Sequence, residues 1–543
     1  MSVLTARFTP LCVLVFALLS FAVGLADLPV QDRDEARFAQ ASRQMAATGD
    51  LIDIRLQDAP RHNKPALIYW AQTAAIWVTG MTGETPIWVH RLPSYLAATM
   101  AALAMIWAGT PLVGRRAAVV AGIICISLYM FHAEARTAKT DAALVLSVIL
   151  AMGALGRMWV GDGRKWLTPL TFWTALAAGF LLKGPMVILP VIGAILWLSV
   201  QFRGVAWLAR LRPVFGVLWF VLLAAPWFIA ITITTECAFW GASLGTDLGD
   251  KITAGGEHGA SPPGFYVLTA WLTFFPWSLL IPLGLTFAWS ARKDPKIAFI
   301  LGWLIPGWIV LEAVPVKLVH YTLPLYPALA LLVAAALIQV HDGRFALRRW
   351  IMGLGSLGWL IALTFFALVA ILAPVRFGDG VNLVAIAGAT AFTLAALVGL
   401  WHFWRGVIPK AAIALTISGV LLGWTLTAVS LPGARDFWIA DRLAEVMAQN
   451  SCFGGPVAVA GYAEPSTVFR LGTDTILTDV DGALTYLNEA EGRAAWIDPA
   501  LVPELSTATG VVVEGVSIGN FRPVSLQLFV SPGQAADVDP CGQ

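Results

Sequence analysis

Apolar stretches close to the length that crosses a bilayer, roughly 17–25 residues, recur along most of this chain. They fall near residues 8–26, 92–109, 117–131, 142–160, 167–182, 185–200, 213–235, 265–290, 297–314, 323–340, 350–373, 381–404 and 411–430. Only 13% of the residues are charged and 58% are hydrophobic. That much apolar surface has no water-excluded place to go except a bilayer. The chain therefore reads as an all-α polytopic membrane protein of about thirteen spans. The first segment, with Arg7 before it, reads as a retained span and not a cleaved signal. Broken spans carrying mid-membrane charge, the pattern of a transporter or flippase, are not evident.

The charges test the parse. With the N-terminus inside, alternate connections should be short and basic. They contain Arg115-Arg116, Arg164-Lys165, Arg203/Arg210/Arg212, Arg292-Lys293/Lys296, Arg344/Arg348-Arg349 and Arg405/Lys410. The opposite set is longer and mixed in sign: residues 31–91, 132–141, 236–263 and 312–322. The expected place is the bacterial inner membrane, with the N-terminus cytoplasmic and the C-terminus periplasmic. The net charge of +2 gives no reason to expect nucleic acid.

After residue 431 the composition changes. Residues 436–450 read as a helix, and 456–463, 475–478, 511–516 and 526–530 as short strands. The expected division is a membrane domain at 1–431 and a small periplasmic α/β domain at 432–543. Cys452 and Cys541 could bridge there if it is outside the cytoplasm.

The outer loops hold polar groups that spans alone do not need. Residues 31–70 carry Asp32, Asp34 and Glu35 beside Arg33, Arg37, Arg43, Arg55, Arg61 and Lys64. Phe38, Ala41 and Met45 recur at helical spacing, and Thr48-Gly49-Asp50 ends that helix. A second juxtamembrane helix is expected over residues 65–80. Neighbours on a helix point apart, so Asp34 and Glu35 cannot face one substrate together. Asp34 is the better base candidate, and Glu35 reads as a first-turn carboxylate favoured by the helix dipole. Farther on stand Glu134, Arg136, Lys139 and Asp141, the last a possible helix cap. Lys183 sits in a tight turn, where it could meet headgroups or a lipid phosphate. Asp247, Lys251, Glu257 and His258 lie in a Gly-rich loop, with Lys317, His320 and Tyr321 before a later span. His258 is the one candidate metal ligand among these, and no full ligand set can be assembled.

Several runs carry a likeness. D-E-A-R-F-A-Q-A-S-R-Q-M-A-A-T-G-D-L-I (34–52) is followed by N-K-P-A-L-I-Y-W (63–70) and R-L-P-S (91–94). Then come R-T-A-K-T-D (136–141), L-K-G-P (182–185), H-G-A-S-P-P-G-F-Y (258–266) and K-L-V-H-Y-T-L-P-L-Y-P (317–327). In this order and on one face they resemble the GT-C membrane glycosyltransferases that use polyprenyl-phosphate sugars, among them the lipid A aminoarabinose transferases and protein O-mannosyltransferases. The resemblance implies an inverting hexosyl- or pentosyltransferase with a lipid-phosphate donor such as undecaprenyl phosphate. The acceptor would be a glycolipid or cell-envelope glycan, as in lipid A modification, or a protein hydroxyl. It implies Asp34 and Asp141 as catalytic acids, and Arg37, Lys64, Lys183, Lys251, Lys317, His320 and Tyr321 around the donor phosphate. Asn63 stands where the aminoarabinose transferases have a zinc-binding glutamate, so a divalent metal is a possibility the resemblance weakens.

Overall fold

A computed structural model of the chain describes residues 3–83, 85–249, 261–346, 348–449, 453, 455–502, 508–518 and 521–531. Among them, nine helices are long and apolar enough to cross a membrane, or ten with the bent pair Arg115–Ser127 and Tyr129–Ala135 taken as one span. This is fewer than the thirteen expected. Phe8–Ala22 and Trp277–Ser290 are apolar but shorter than the others. Two further expected segments run together as the helical stretch Leu167–Phe202.

The first ten helices are α1 (Val3–Ala22), α2 (Asp34–Thr48), α3 (Leu67–Thr79), α4 (Ile87–Val113), α5 (Arg115–Ser127), α6 (Tyr129–Ala135), α7 (Asp141–Val160), α8 (Leu167–Lys183), α9 (Ile188–Phe202) and α10 (Pro213–Thr234). The stretch holding α8 and α9 breaks at the 3-10 turn Gly184–Val187 and reverses there. Lys183 meets Asp141 at the head of α7, whereas Phe202 packs on Trp159 at its foot. The expected tight turn at Lys183 is therefore present.

Helices around α4 approach closely because the facing residues are small: Gly122 lies against Ala102, and Gly153 against Ala108. On α10 the large apolar side chains Val214, Leu218, Leu222 and Ile229 point outward, the surface a lipid phase accommodates. The short basic connections gather at one end. Arg116 pairs with Asp342 at 3.1 Å, Trp159 donates to the Pro295 carbonyl, and Arg210 donates to that of Met158. The acid-and-base loops gather at the other.

There α2 and α3, the two helices expected in this loop, lie against each other. Both end where the chain turns into left-handed backbone at a glycine, Gly49 (φ 74°) and Gly80 (φ 68°), which carries no Cβ penalty. Phe38 meets Tyr69 with ring centroids 5.2 Å apart, and Ser42 donates to Gln72 at 2.6 Å.

The C-terminal part is a five-stranded mixed sheet of order β4-β3-β5-β7-β6. Its strands are β3 (Ala458–Ala460), β4 (Ile476–Thr478), β5 (Ala494–Ile497), β6 (Ala508–Val516) and β7 (Pro523–Val530), β1 and β2 being the two-residue ribbon Arg55–Leu56 and Ala59–Pro60. β3 runs parallel to β4 and β5, and β7 antiparallel to β5 and β6. The expected helix is Ile439–Gln449, and the four expected strands correspond to β3, β4, β6 and β7. Missed in sequence were β5 and the helices Pro465–Leu471 and Val480–Glu489. Cys452 and Cys541 lie outside the described residues.

Candidate active site at the loop end of the helix bundle

Two clusters of ionised groups flank the first turn of α2. One is sealed. Glu35 is wholly buried and takes both its oxygens to Arg91, at 2.8 and 3.0 Å. It also accepts the backbone N–H groups of Gln31 and Ala138. Arg91 spends its remaining donors on the carbonyls of Leu25, Leu28 and Pro29. Every charge here is answered, as a buried pair requires. Glu35 stands in the first turn as expected, but buried against Arg91. It ties α2, α4 and the 136–140 loop into one block, and Arg91, in the R-L-P-S run, is its partner.

The other cluster is open. Asp34 is recessed among protein atoms, yet 57% of its side chain remains accessible. Arg37 approaches it at 4.0 Å. Desolvation in the recess pushes its carboxyl up, but Lys139, Arg61, Lys64 and Arg37 together outweigh that and hold it below the usual carboxylate range. It therefore stands ionised at neutral pH. Lys139 bonds Glu134 at 3.2 Å. Burial would lower the Lys139 ammonium, but Glu134, Asp141 and Asp34 around it hold it above the ordinary lysine value. One ammonium thus lies in the field of all three acids.

Asp141 does not cap α7. Its carboxylate is buried and faces the partly buried Lys183 ammonium at 2.7 Å. The Lys183 ammonium also lies 5.3 Å from the centre of the Tyr321 ring, and the imidazole of His320 sits in the field of Asp141, Lys139, Lys183 and Asp34. The structure brings Asp34, Arg37, Lys64, Asp141, Lys183, His320 and Tyr321 together. The R-T-A-K-T-D run divides its labour: Arg136 donates to the carbonyls of Ser20 and Val23, pinning α6 to α1, which leaves Lys139 and Asp141 facing the site.

The loop carrying Lys64 is fixed by its own pair, His62 Nε2 to Asp53 at 2.8 Å, and by the Trp70 indole on the Leu51 carbonyl. Burial raises the Asp53 carboxyl, but the bonds from His62 and Arg55 prevail and hold it low. Arg61 donates to the Tyr69 hydroxyl at 3.1 Å and adds a cation that the sequence did not assign to the site.

Beside this cluster runs a groove of about 310 Å³. Phe180, Met186, Leu189, Phe228, Trp240 and Val310 make its apolar walls, and Lys64, Lys183 and Tyr321 also line it. Such a site suits a molecule with a hydrocarbon tail and an anionic head.

Lys317 is turned to another task. It is buried and donates to the Ser261 carbonyl at 2.9 Å, while Ser261 N–H donates to Pro315, so it fastens two outer segments together. Glu312 likewise accepts the N–H groups of Gly264 and Tyr266, serving the open start of the helix Phe265–Thr273. Lys251 and His258 lie outside the described residues. Among the described residues no three or more His, Cys, Asp or Glu side chains converge as a metal site. Asn63, which lines the groove, offers a neutral amide where the resemblance has a zinc-binding glutamate.

Comparison with known proteins gives the following likenesses. The family described as dolichyl-phosphate-mannose-protein mannosyltransferase matches residues 6–242. Undecaprenyl phosphate-alpha-4-amino-4-deoxy-L-arabinose arabinosyl transferase of Aeromonas hydrophila is 29% identical over 369 residues, 65% of each chain. That of Edwardsiella ictaluri is 27% identical over 418 residues, 72% of each. The chain thus spans about 65% of the length of the Aeromonas relative it matches. Among solved structures, ArnT from Cupriavidus metallidurans bound to undecaprenyl phosphate superposes with a TM-score of 0.75 at 19% identity, covering 97% of this chain and 98% of that one. An apo oligosaccharyltransferase of Archaeoglobus fulgidus gives 0.53 at 12% identity, over 92% and 67%. This chain has the GT-C architecture in a polytopic membrane protein.

Proposed function

For a chain of the GT-C type that the aminoarabinose transferases and protein mannosyltransferases share, we propose a glycosyltransferase of the bacterial inner membrane. It moves a sugar, a pentose of the aminoarabinose kind, from a polyprenyl-phosphate donor to an oxygen nucleophile on a glycolipid such as lipid A or on another cell-envelope glycan. The N-terminus is cytoplasmic, and the site and the C-terminal unit face the periplasm. The observation that carries this reading is an apolar groove also lined by Lys64, in the field of Asp34, and by Lys183, paired with Asp141.

The donor tail lies along the wall, and its phosphate reaches the lysines. Asp34, kept ionised by its cations, removes the proton from the acceptor hydroxyl as that oxygen attacks the anomeric carbon. The bond from the anomeric carbon to the phosphate oxygen breaks on the opposite face, with inversion. The leaving polyprenyl phosphate gains a negative charge, and Lys183, Lys64 and Arg37 stabilise it, so no nucleotide is needed. Asp141 holds Lys183 in place for that role. No step runs through a metal.

The test is turnover by the purified chain in detergent with undecaprenyl-phosphate aminoarabinose and a lipid A acceptor. A product heavier by one aminopentose supports the reading. If no polyprenyl-phosphate monosaccharide yields a glycosidic bond, while vesicles carrying the chain move a lipid-linked sugar across the membrane, the chain is a transporter and the reading fails.

A further inference from the structure

The start of α2, where Asp34 sits, is not held by a cap of its own. Arg33, the residue before it, has φ 64° and ψ −107°, and no side chain bonds the free N–H groups of the first turn from that position. A bulky side chain rarely adopts such backbone unless its surroundings impose it.

The surroundings come from the far end of the chain. Asp32 accepts the Tyr462 hydroxyl at 2.6 Å and the Ser466 hydroxyl as well, and Arg33 meets Glu464 at 3.8 Å. Tyr462 and Ser466 are buried and belong to the C-terminal α/β unit, in the loop after β3 and the helix Pro465–Leu471. The same unit holds α2 farther along. Arg43 donates to the Phe469 carbonyl at 2.8 Å and lies 3.9 Å over that ring, and Gln40 donates to the Thr473 hydroxyl at 2.7 Å. Phe469 itself packs on Val30, Ala36 and Ala39.

We propose that the C-terminal unit is part of the catalytic apparatus, and that the hydroxyls of Tyr462 and Ser466, gripping Asp32, are positioning groups that aim Asp34 at the acceptor. This rests on the reading of Asp34 as the base. The two hydroxyls grip the residue two places before Asp34, and Glu464 engages the strained one between. The contacts at Gln40 and Arg43 secure the unit against α2 without touching its first turn. Releasing Asp32 lets Arg33 relax to ordinary backbone, which swings Asp34 out of line. A displacement of about an ångström in such a group costs on the order of a hundredfold in rate. The donor groove, lined by none of these residues, is left as it was.

The test uses the full chain. In the double variant Tyr462→Phe/Ser466→Ala, kcat should fall about 10–100-fold, while KM for the donor and the affinity for undecaprenyl phosphate stay within about twofold. Ser466→Thr alone, which keeps its hydroxyl, should retain turnover within about threefold. Thr473→Ala, which cuts a contact of the same unit with the middle of α2, should leave kcat within about threefold too. Should the double variant fold poorly, Tyr462→Phe alone serves, with the same split between kcat and KM expected at smaller size. Loss of donor affinity in step with kcat, an equal loss in Thr473→Ala, or unchanged turnover in the double variant would each overturn the proposal. Asp34→Asn separates the two readings. If it stays active, the base assignment fails; if it is dead while the double variant turns over normally, only the positioning role fails.

Discussion

The sealed cluster at Glu35 and the open cluster at Asp34 start from adjacent residues of a single helical turn, and they differ in how far their carboxylates are exposed. Around Glu35 and Arg91 every donor and acceptor has a fixed partner and water is excluded. Around Asp34 one accessible carboxylate lies in the field of Lys139, Arg61, Lys64 and Arg37, the last at 4.0 Å. Satisfied, buried charge fixes geometry. Cations converging on an accessible recess are arranged for an anion yet to come. On the function proposed above, the two neighbours in sequence do unlike work, one as fastening and the other as chemistry.

That contrast breaks most sharply in a pair of isosteric variants. Glu35→Gln leaves the Arg91 charge buried with a neutral partner and should cost about 3–5 kcal/mol of stability, seen as poor yield and a large drop in the thermal midpoint in detergent. Asp34→Asn should leave that midpoint unchanged and lower turnover by about a thousandfold. A Glu35→Gln protein that is stable but inactive would invert the assignment of the two clusters.

Lys183→Met removes a cation from the groove and takes from Asp141 the ammonium bonded to it at 2.7 Å. Turnover should fall about a hundredfold, with weaker binding of undecaprenyl phosphate. If donor affinity is untouched, the ammonium serves Asp141 alone and the phosphate is held elsewhere.

Much of this was legible in the chain. The 3.6-residue spacing and the terminal glycines gave α2 and α3, and the alternation of basic and mixed loops separated the two ends of the bundle. What no local pattern carries is which charge faces which. Glu35 finds its partner 56 residues away and Asp32 its partners more than 400 away. The A-A-W-I run of β5 escaped notice because two alanines and four residues make no strand signal. It is a strand because β3 and β7 flank it and bury all four side chains.

The joint between the C-terminal unit and α2 has its own pH signature. Burial raises the Asp441 carboxyl to about 6, and the negative Glu445 and Asp32 add to that, against Arg470 at 2.6 Å and the more distant Arg91, which lower it. Its folded value stands above the ordinary carboxylate value near 4. The stability it contributes is therefore complete below about pH 4 and is lost as pH rises through about 6. Thermal midpoints should fall between those limits, by no more than about 2 kcal/mol in stability, and Asp441→Asn should flatten the fall. A variant with an unchanged profile would place the titration elsewhere.

The smallest effect is expected at Lys317, and it sharpens the comparison from the other side. Lys183 and Lys317 are both lysines at the loop end of the bundle, and on sequence both were candidates for the donor phosphate. Their ammonium groups have different partners: a carboxylate at the groove for Lys183, a backbone carbonyl for Lys317. Removing a charged donor from a carbonyl costs about 1–2 kcal/mol, so Lys317→Met should lower the thermal midpoint modestly. It should keep turnover and undecaprenyl phosphate affinity within about threefold, because the group it loses never reached the groove. A loss of turnover as deep as that of Lys183→Met, without a matching loss of stability, would show that Lys317 leaves Ser261 to take part in donor binding, and the line drawn between fastening and chemistry would have to move.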